Sequence, residues 1–307
     1  MKFSIAIHGG AGPDSDYIRK NFDGYKQGIE TALNAGYVVL EKGGSSVDAV
    51  ETAIRLFEDN EHFNAGRGSA LNERGEVEMC ASIMRGEDEN AGAAAIIRRV
   101  RNPISLARAI MEKSKHTYLG SDGAIEFARQ LNLPMEADSY FITEHALEEL
   151  KKARVEEKEK KKETELETSR KHGTVGAVAL DKNGDLAAGT STGGLELCKV
   201  GRIADSSMIG VGTYANNKIC AVSTTGEGEF HIKHVTAFHI AALMEYKNME
   251  LHDACHFLIH EKCKNVKADM GLIAADPMGN IVAVFNTERM HRGLKSSDGM
   301  HVVEVYP

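Results

Sequence analysis

Between residues 23 and 42, apolar side chains recur every three or four positions, at Tyr25, Ile29, Leu33, Tyr37 and Leu40. That period lays one stripe along an α-helix, and Gly43-Gly44 ends it. A second stripe, Val47, Val50, Ile54 and Phe57, follows Ser46, whose hydroxyl suits a helix N-cap. Asn102-Pro103 marks a third helix start, with Leu106, Ala107, Ile110 and Met111 behind it. Elsewhere the pattern is short and continuous. Residues 2–8 read as a strand running into the glycine turn Gly9-Gly10-Ala11-Gly12, and the small apolar runs of 64–97 suit buried strands. Residues 173–181 form a small-residue strand. Lys182-Asn183-Gly184-Asp185 then turns the chain into Leu186–Thr190, a hairpin signal. Gly/Ser/Thr-rich turns follow, then helices over roughly 228–246 and 249–264 and strands at 271–276 and 281–286. Without an internal repeat, this alternation predicts one α/β domain over residues 1–307, its sheets covered by helices.

One segment breaks the pattern. From Lys151 to Lys171, 15 of 21 residues are charged and only Ala153, Val155 and Leu166 are apolar, too little to offset ordering entropy. The expectation is an exposed helix or a solvated, mobile run.

Composition narrows the class. With 42% hydrophobic and 27% charged residues in 307, the chain can bury a sizeable core, which excludes global disorder and a coiled coil. A net charge of -8 argues against nucleic acid or an acidic membrane as the main partner. Five scattered cysteines are an odd set, no disulfide framework, and fit a reducing compartment. The opening apolar stretch is too short for a secretory signal, and no run is long enough to span a bilayer. A cytoplasmic location is expected.

Several candidate chemistries dissolve on inspection. Cys255, His256, His260 and Cys263 crowd one segment, but adjacent helical residues point about 100° apart, so packed cysteines beside surface histidines fit better than a metal site. Gly66-Arg67-Gly68 and Gly226-Glu227-Gly228 lack a phosphate-loop lysine and read as turns. No Gly-x-Ser-x-Gly elbow exists. Threonine beside glycine does recur, in Gly173-Thr174-Val175-Gly176, Thr190-Ser191-Thr192-Gly193-Gly194 and Thr224-Thr225-Gly226-Glu227-Gly228-Glu229. Singly, each is a strand residue next to a turn.

Together with His8-Gly9-Gly10-Ala11-Gly12, Phe63-Asn64-Ala65-Gly66 and Gly201-Arg202-Ile203-Ala204-Asp205-Ser206, these blocks resemble, over nearly the whole chain, plant-type asparaginases and isoaspartyl peptidases. Those enzymes are N-terminal-nucleophile hydrolases. The resemblance implies a four-layer αββα sandwich and autoproteolysis between Gly173 and Thr174. It also implies an α chain of residues 1–173 with a loose tail at 151–173, a β chain of 174–307, and a dimer of cleaved αβ units.

The chemistry explains the cut. A free N-terminal threonine carries its own base, an α-amine of pKa about 7.7–8.0, which a threonine inside the chain lacks. Glycine before it permits the strained approach that an acyl shift needs. By resemblance, Thr192 tunes the Thr174 nucleophile, Asn64 orients the α-amine region, and Thr225 with the Gly226 N–H forms the oxyanion hole. Arg202 would grip the α-carboxylate of an aspartyl substrate and Asp205 its ammonium, which presents the β-amide to Thr174. Substrates would then be L-asparagine and β-aspartyl dipeptides, the dipeptides faster. No organic cofactor is implied. A structural sodium ion is, on the main-chain carbonyls of Phe57, Glu58, Asn60, Phe63, Ala65 and Arg67.

The chain departs from the family pattern at Cys80, Arg85, Ala204 and Leu195-Glu196-Leu197-Cys198-Lys199, near the expected substrate wall. A glycosylasparaginase, a protein-directed threonine aspartase, and a processing-dead protein that only binds aspartyl ligands are the rival readings. Exported, disulfide-bonded relatives do not match these cysteines, and no long inserted segment exists beyond the charged run.

Overall fold

Alternation along the central strands sorts small apolar side chains onto two faces, and both faces are covered. The computed structural model describes residues 2–160, 173–266 and 268–307. Its strands are β1 (Ser4–Gly12), β2 (Met79–Arg85), β3 (Ala91–Ile97), β4 (Tyr118–Gly120), β5 (Val175–Leu180), β6 (Leu186–Thr192), β7 (Thr213–Asn216), β8 (Cys220–Gly226), β9 (Met270–Ala275), β10 (Ile281–Phe285), β11 (Arg289–Ser296) and β12 (His301–Glu304). The helices are α1 (Asp16–Lys20), α2 (Phe22–Glu41), α3 (Ser46–Glu58), α4 (Pro103–Lys113), α5 (Ser121–Gln130), α6 (Asp138–Phe141), α7 (Glu144–Lys160), α8 (Gly228–His234), α9 (Thr236–Lys247) and α10 (Leu251–His256). One sheet has the order β12-β11-β1-β5-β6-β2-β3-β4, the other β10-β9-β8-β7.

On β5, Val175, Ala177 and Ala179 share a core with Ile29 and Leu33 of α2 and Val50, Ile54 and Phe57 of α3. Val178 and Leu180 face the other way, onto Val222 of β8 and Leu272 of β9. On β1, Ile5 and Ile7 go with the helices, and Ala6 and Ala11 with the second sheet. Beyond that sheet, Ile240 of α9 and Ala254 of α10 close the stack. Helix, sheet, sheet, helix is the expected αββα sandwich. Burial on both faces is why β1 and β5 read as unbroken apolar runs rather than alternating ones.

Several boundaries differ from the sequence pattern. Ser45, not Ser46, caps α3, its hydroxyl accepting from the Asp48 N–H at 3.1 Å. Of 64–97, only β2 and β3 are strands; 64–78 are turns and loop. The helix expected over 228–246 is broken at Val235, whose φ of 48° is left-handed. The one over 249–264 begins at Leu251 and widens to a π-turn from Phe257 to Lys262. Polar β8 and short β7 stand where only turns were expected. Residues 151–160 are the end of α7, largely exposed over 151–159, and the rest of the charged run lies outside the described residues. Cys255 and Cys263 are buried, His256 is exposed, and the His256 and His260 rings meet at 4.7 Å.

Candidate active site

The hairpin turn sets the centre of the site. Leu180 faces Leu186 and Val175 faces Ser191, so one more step along the register brings Thr174 opposite Thr192. Thr174 is 5% exposed and immediately precedes the central strand β5. Its hydroxyl lies 3.4 Å from Thr192 Oγ1, in donor geometry. Thr192 Oγ1 also donates to the Gly173 carbonyl at 3.0 Å and accepts the Gly194 N–H at 3.1 Å. A second donor, Asn64 Nδ2, reaches the same Gly173 oxygen at 2.7 Å and the Gly194 oxygen at 2.8 Å. Asn64 Oδ1 accepts the Ala70 N–H at 2.8 Å, which fixes which way the amide points. The carbonyl ahead of Thr174 therefore carries two donors, aimed where charge would build if a nucleophile attacked its carbon.

His8 holds the other side of Thr174. Its Nδ1 sits 2.9 Å from the Thr174 carbonyl oxygen, which can only accept, so that nitrogen carries the proton. Burial lowers the imidazole pKa to about 3, so the ring is neutral and its Nε2 accepts from Ser223 Oγ at 2.9 Å. Gly176 lets this happen, because a Cβ there would sit 2.0 Å from Ser223 Oγ and 2.4 Å from His8 Nε2. Thr225 lies two residues beyond Ser223 on β8, on the same face. Its Oγ1 accepts the Ala11 N–H at 3.2 Å, leaving the hydroxyl proton for a partner in the site. His231 Nε2 donates to the Thr225 carbonyl at 3.1 Å and steadies the strand end. Gly226 has φ 122°, and a Cβ there would lie 2.2 Å from the Asp269 oxygen. Only glycine fits.

Arg202 and Asp205 converge on Gly228, where a Cβ would lie 2.7 Å from Asp205 Oδ1 and 2.9 Å from Arg202 Nη2. Asp205 is 4% exposed and accepts from Thr224 Oγ1 at 3.1 Å; burial pushes its pKa up, against the opposing pull of His231 and Arg202. Glu229 occupies two nitrogens of the Arg202 guanidinium, Nε at 2.7 Å and Nη2 at 2.9 Å. Burial works against the arginine's charge, but the Glu229 hydrogen bonds together with the charges of Glu229 and Asp205 outweigh it and its pKa rises. Nη1 is the nitrogen turned toward Gly194. Of the unusual residues, Cys80 faces Thr192 directly across β2 and β6 and packs on Ala204. Arg85 is five positions further along β2, about 17 Å away, and pairs with Asp88.

The loop from Phe57 to Arg67 is folded by its own carbonyls. Arg67 N–H donates to the Glu58 oxygen at 2.7 Å, and Phe63 N–H to the Asn60 oxygen at 3.2 Å. Gly66 and Gly68 let the turn tighten, since a Cβ on Gly66 would lie 2.2 Å from the Glu58 oxygen and one on Gly68 would lie 2.8 Å from the Phe63 oxygen. Backbone carbonyls are the donor type a hard alkali cation takes, and those of Phe57, Glu58, Asn60 and Phe63 each already accept a backbone N–H. The Glu58 side chain is enclosed below the site. Ser191 Oγ at 2.7 Å and the Ile104 N–H at 2.9 Å both donate to its Oε1, while among the described residues the buried Oε2 makes no hydrogen bond of good geometry. Burial raises its pKa to about 8.

Thr174, Thr192, Asn64 and Gly173 thus meet within hydrogen-bond distance, Thr225 joins through β1 and β8, and Arg202 with Asp205 forms a charged wall. The sequence reading gave Glu229 and His8 no role, though both stand inside blocks it singled out. Their signal was chemical: a carboxylate and an imidazole among glycines and threonines.

Comparison with known proteins gives the family of the chain. Residues 1–305 match the protein family described as Asparaginase. A putative isoaspartyl peptidase/L-asparaginase of Dictyostelium discoideum is 41% identical, covering 95% of this chain and 93% of its own. A probable isoaspartyl peptidase/L-asparaginase 2 of Arabidopsis thaliana is 39% identical over 99% of both chains. An isoaspartyl peptidase of Salmonella typhimurium is 41% identical, covering 95% of this chain and 94% of its own. With its αββα sandwich and a threonine just ahead of the central strand, this chain belongs to the asparaginase family of N-terminal-nucleophile hydrolases.

Proposed function

We propose that the chain cuts itself between Gly173 and Thr174 and then hydrolyses β-aspartyl dipeptides and L-asparagine, releasing L-aspartate. The observation that carries this reading is the Gly173 carbonyl, held by Asn64 Nδ2 and Thr192 Oγ1 beside the Thr174 hydroxyl. In the first reaction Thr174 Oγ attacks the Gly173 carbon, and the two donors take the charge that develops on oxygen. The C–O bond forms first, then the C–N bond breaks as the departing nitrogen takes the proton that the hydroxyl gave up and becomes the free α-amine. Water then hydrolyses the ester, leaving a Gly173 carboxylate and a free threonine with both hydroxyl and α-amine. The products are chains of 1–173 and 174–307.

In the second reaction the α-amine takes the hydroxyl proton as Oγ attacks the side-chain amide carbon of the aspartyl substrate. Thr225 Oγ–H and the Gly226 N–H stabilise the oxyanion, and Thr192 orients the nucleophile. The proton passes to the leaving amine or ammonia, and water releases aspartate from the acyl-enzyme. Arg202 Nη1 meets the substrate α-carboxylate beside Glu229, and Asp205 meets its ammonium. An ordinary α-aspartyl peptide has no free α-carboxylate to offer. With the leaving group loosely specified, dipeptides outrun asparagine.

Sodium on the carbonyls of Phe57, Glu58, Asn60, Phe63, Ala65 and Arg67 would stiffen the loop that carries Asn64. Two cleaved αβ units pair as a dimer, and five unpaired cysteines fit a cytoplasmic setting. A protein that only binds aspartyl ligands would have no need of a paired donor set on Gly173. The test compares hydrolysis of a β-aspartyl dipeptide with its α-linked isomer on the cleaved enzyme. Turnover of the β-isomer alone is expected; comparable rates would remove Arg202 and Asp205 from substrate recognition.

A further inference from the structure

Behind the scissile glycine lies a cavity of about 80 Å³ whose wall includes Gly173, Asn64, Tyr25, His62, Arg289 and His291. Two of its buried polar groups, Arg289 and His291, are donors short of acceptors. Arg289, at the start of β11, is 5% exposed, and burial pulls its pKa down. Its Nε donates to the Pro13 carbonyl at 3.0 Å, and Nη1 lies 3.2 Å from His291 Nδ1. Among the described residues Nη2 makes no hydrogen bond, and no carboxylate stands within ion-pair distance of the guanidinium.

A guanidinium cannot accept, so His291 Nδ1 does, and the ring carries its proton on Nε2. Burial holds that ring neutral, its pKa well below the usual imidazole value. Among the described residues the buried Nε2 makes no hydrogen bond of good geometry, and the Gly9 backbone is the one polar group acting on the ring in favour of its proton. Tyr25 stacks on the ring at 4.4 Å and 3°, which fixes the direction of that N–H. A buried cation and a buried N–H facing one small space call for an anion.

The rim decides which anion. Glu61 and Glu196 also line the cavity, and Glu61 is already engaged by Arg67 at 2.9 Å. Acidic groups there oppose the entry of a free anion from solvent. An anion made inside the wall avoids that barrier, and the cut itself makes one at Gly173. We propose that this cavity receives the new C-terminal carboxylate of Gly173, with Arg289 and His291 as its donors. The inference rests on the processing reading above. Asn64 Nδ2 already holds the Gly173 oxygen, so one carboxylate oxygen keeps that contact while the other turns to Arg289. Docked there, the carboxylate leaves Thr174 and its amine clear for substrate, and it stays away from the nucleophile it was cut from.

The test is exopeptidase trimming of the cleaved protein, read by mass. Wild type, Arg289→Met, Arg289→Lys and His291→Phe are first confirmed as cut, then treated with a broad-specificity carboxypeptidase. A synthetic peptide of residues 151–173 gives the unprotected rate. Wild type should lose Gly173 at least tenfold more slowly than Arg289→Met, with Arg289→Lys close to wild type. His291→Phe keeps the stack on Tyr25 but loses the N–H, and should fall between; it carries the test if Arg289→Met does not fold. Equal trimming of cleaved wild type and the variants overturns the proposal. A chain that stays uncut overturns the processing reading instead, and the two failures are told apart by the first mass spectrum.

Discussion

One hydroxyl does three things at Thr192: it faces the Thr174 hydroxyl, donates to the Gly173 carbonyl and accepts the Gly194 N–H. Removing one oxyanion donor typically slows a reaction about 10²–10³-fold. Since Asn64 still holds the Gly173 oxygen, Thr192→Ala should slow self-cleavage about a hundredfold rather than abolish it, and Thr192→Ser should restore most of the rate. Time-resolved mass measurement of freshly refolded protein reads both. Arg202→Lys gives up the planar fork on Glu229 and the third nitrogen beside it. A lost charged hydrogen bond of about 1.5–3 kcal/mol corresponds to a fall of about tenfold to a hundredfold in kcat/KM for β-aspartyl dipeptides. An unchanged kcat/KM would take Arg202 out of the substrate wall. At this scale the sequence was most legible where chemistry and register coincide. Gly173-Thr174 announces itself as a cleavage pair, and the Asn-Gly turn fixes Thr192 opposite. The Arg202–Glu229 pair was not legible, because its two residues approach only through the folding of β8 and α8 around Gly228.

Among the elements, the junction of α8 and α9 is strained. Val235 holds φ 48° and ψ 52°, a left-handed conformation that a β-branched residue adopts at a cost of about 1–3 kcal/mol. Its side chain is 44% exposed, so little burial compensates. Val235→Asn should therefore stabilise the folded chain by about 1 kcal/mol, seen as a higher urea midpoint with unchanged slope. A lower midpoint would mean that Val235 packs against something beyond this chain. The amphipathic helices α2, α3 and α4 were legible, as was the β5–β6 hairpin, because each shows one apolar face and a plain stop signal. The break at Val235 was not, since nothing local forbids a helix there. Strand β8 was hidden for a different reason. Ser223, Thr224 and Thr225 are buried polar residues whose hydroxyls reach His8, Asp205 and the Ala11 N–H, so a functional strand has the composition of a turn.

For the whole molecule, burial shifts several enclosed ionisable groups, and of those described Glu58 is one whose titration moves toward neutral and alkaline pH. Burial raises its pKa from 4.5 to about 8, so between those values the folded state holds a proton that the unfolded state has released. Its contribution to stability is intact below about pH 4.5, declines by at most about 1.4 kcal/mol per pH unit as pH rises, and levels off above about pH 8. Glu58→Gln keeps the acceptor for Ser191 and Ile104 without the proton. The variant should gain thermal stability over wild type at pH 9 and little at pH 5. An equal effect at both values would place the Glu58 proton elsewhere.

Self-cleavage is the claim on which the rest depends, and intact mass tests it most directly. Purified wild type should resolve into two species, residues 1–173 and 174–307, while Thr174→Ala stays a single chain of 307 residues. A folded wild-type protein that remains one uncut species after prolonged incubation would contradict the account.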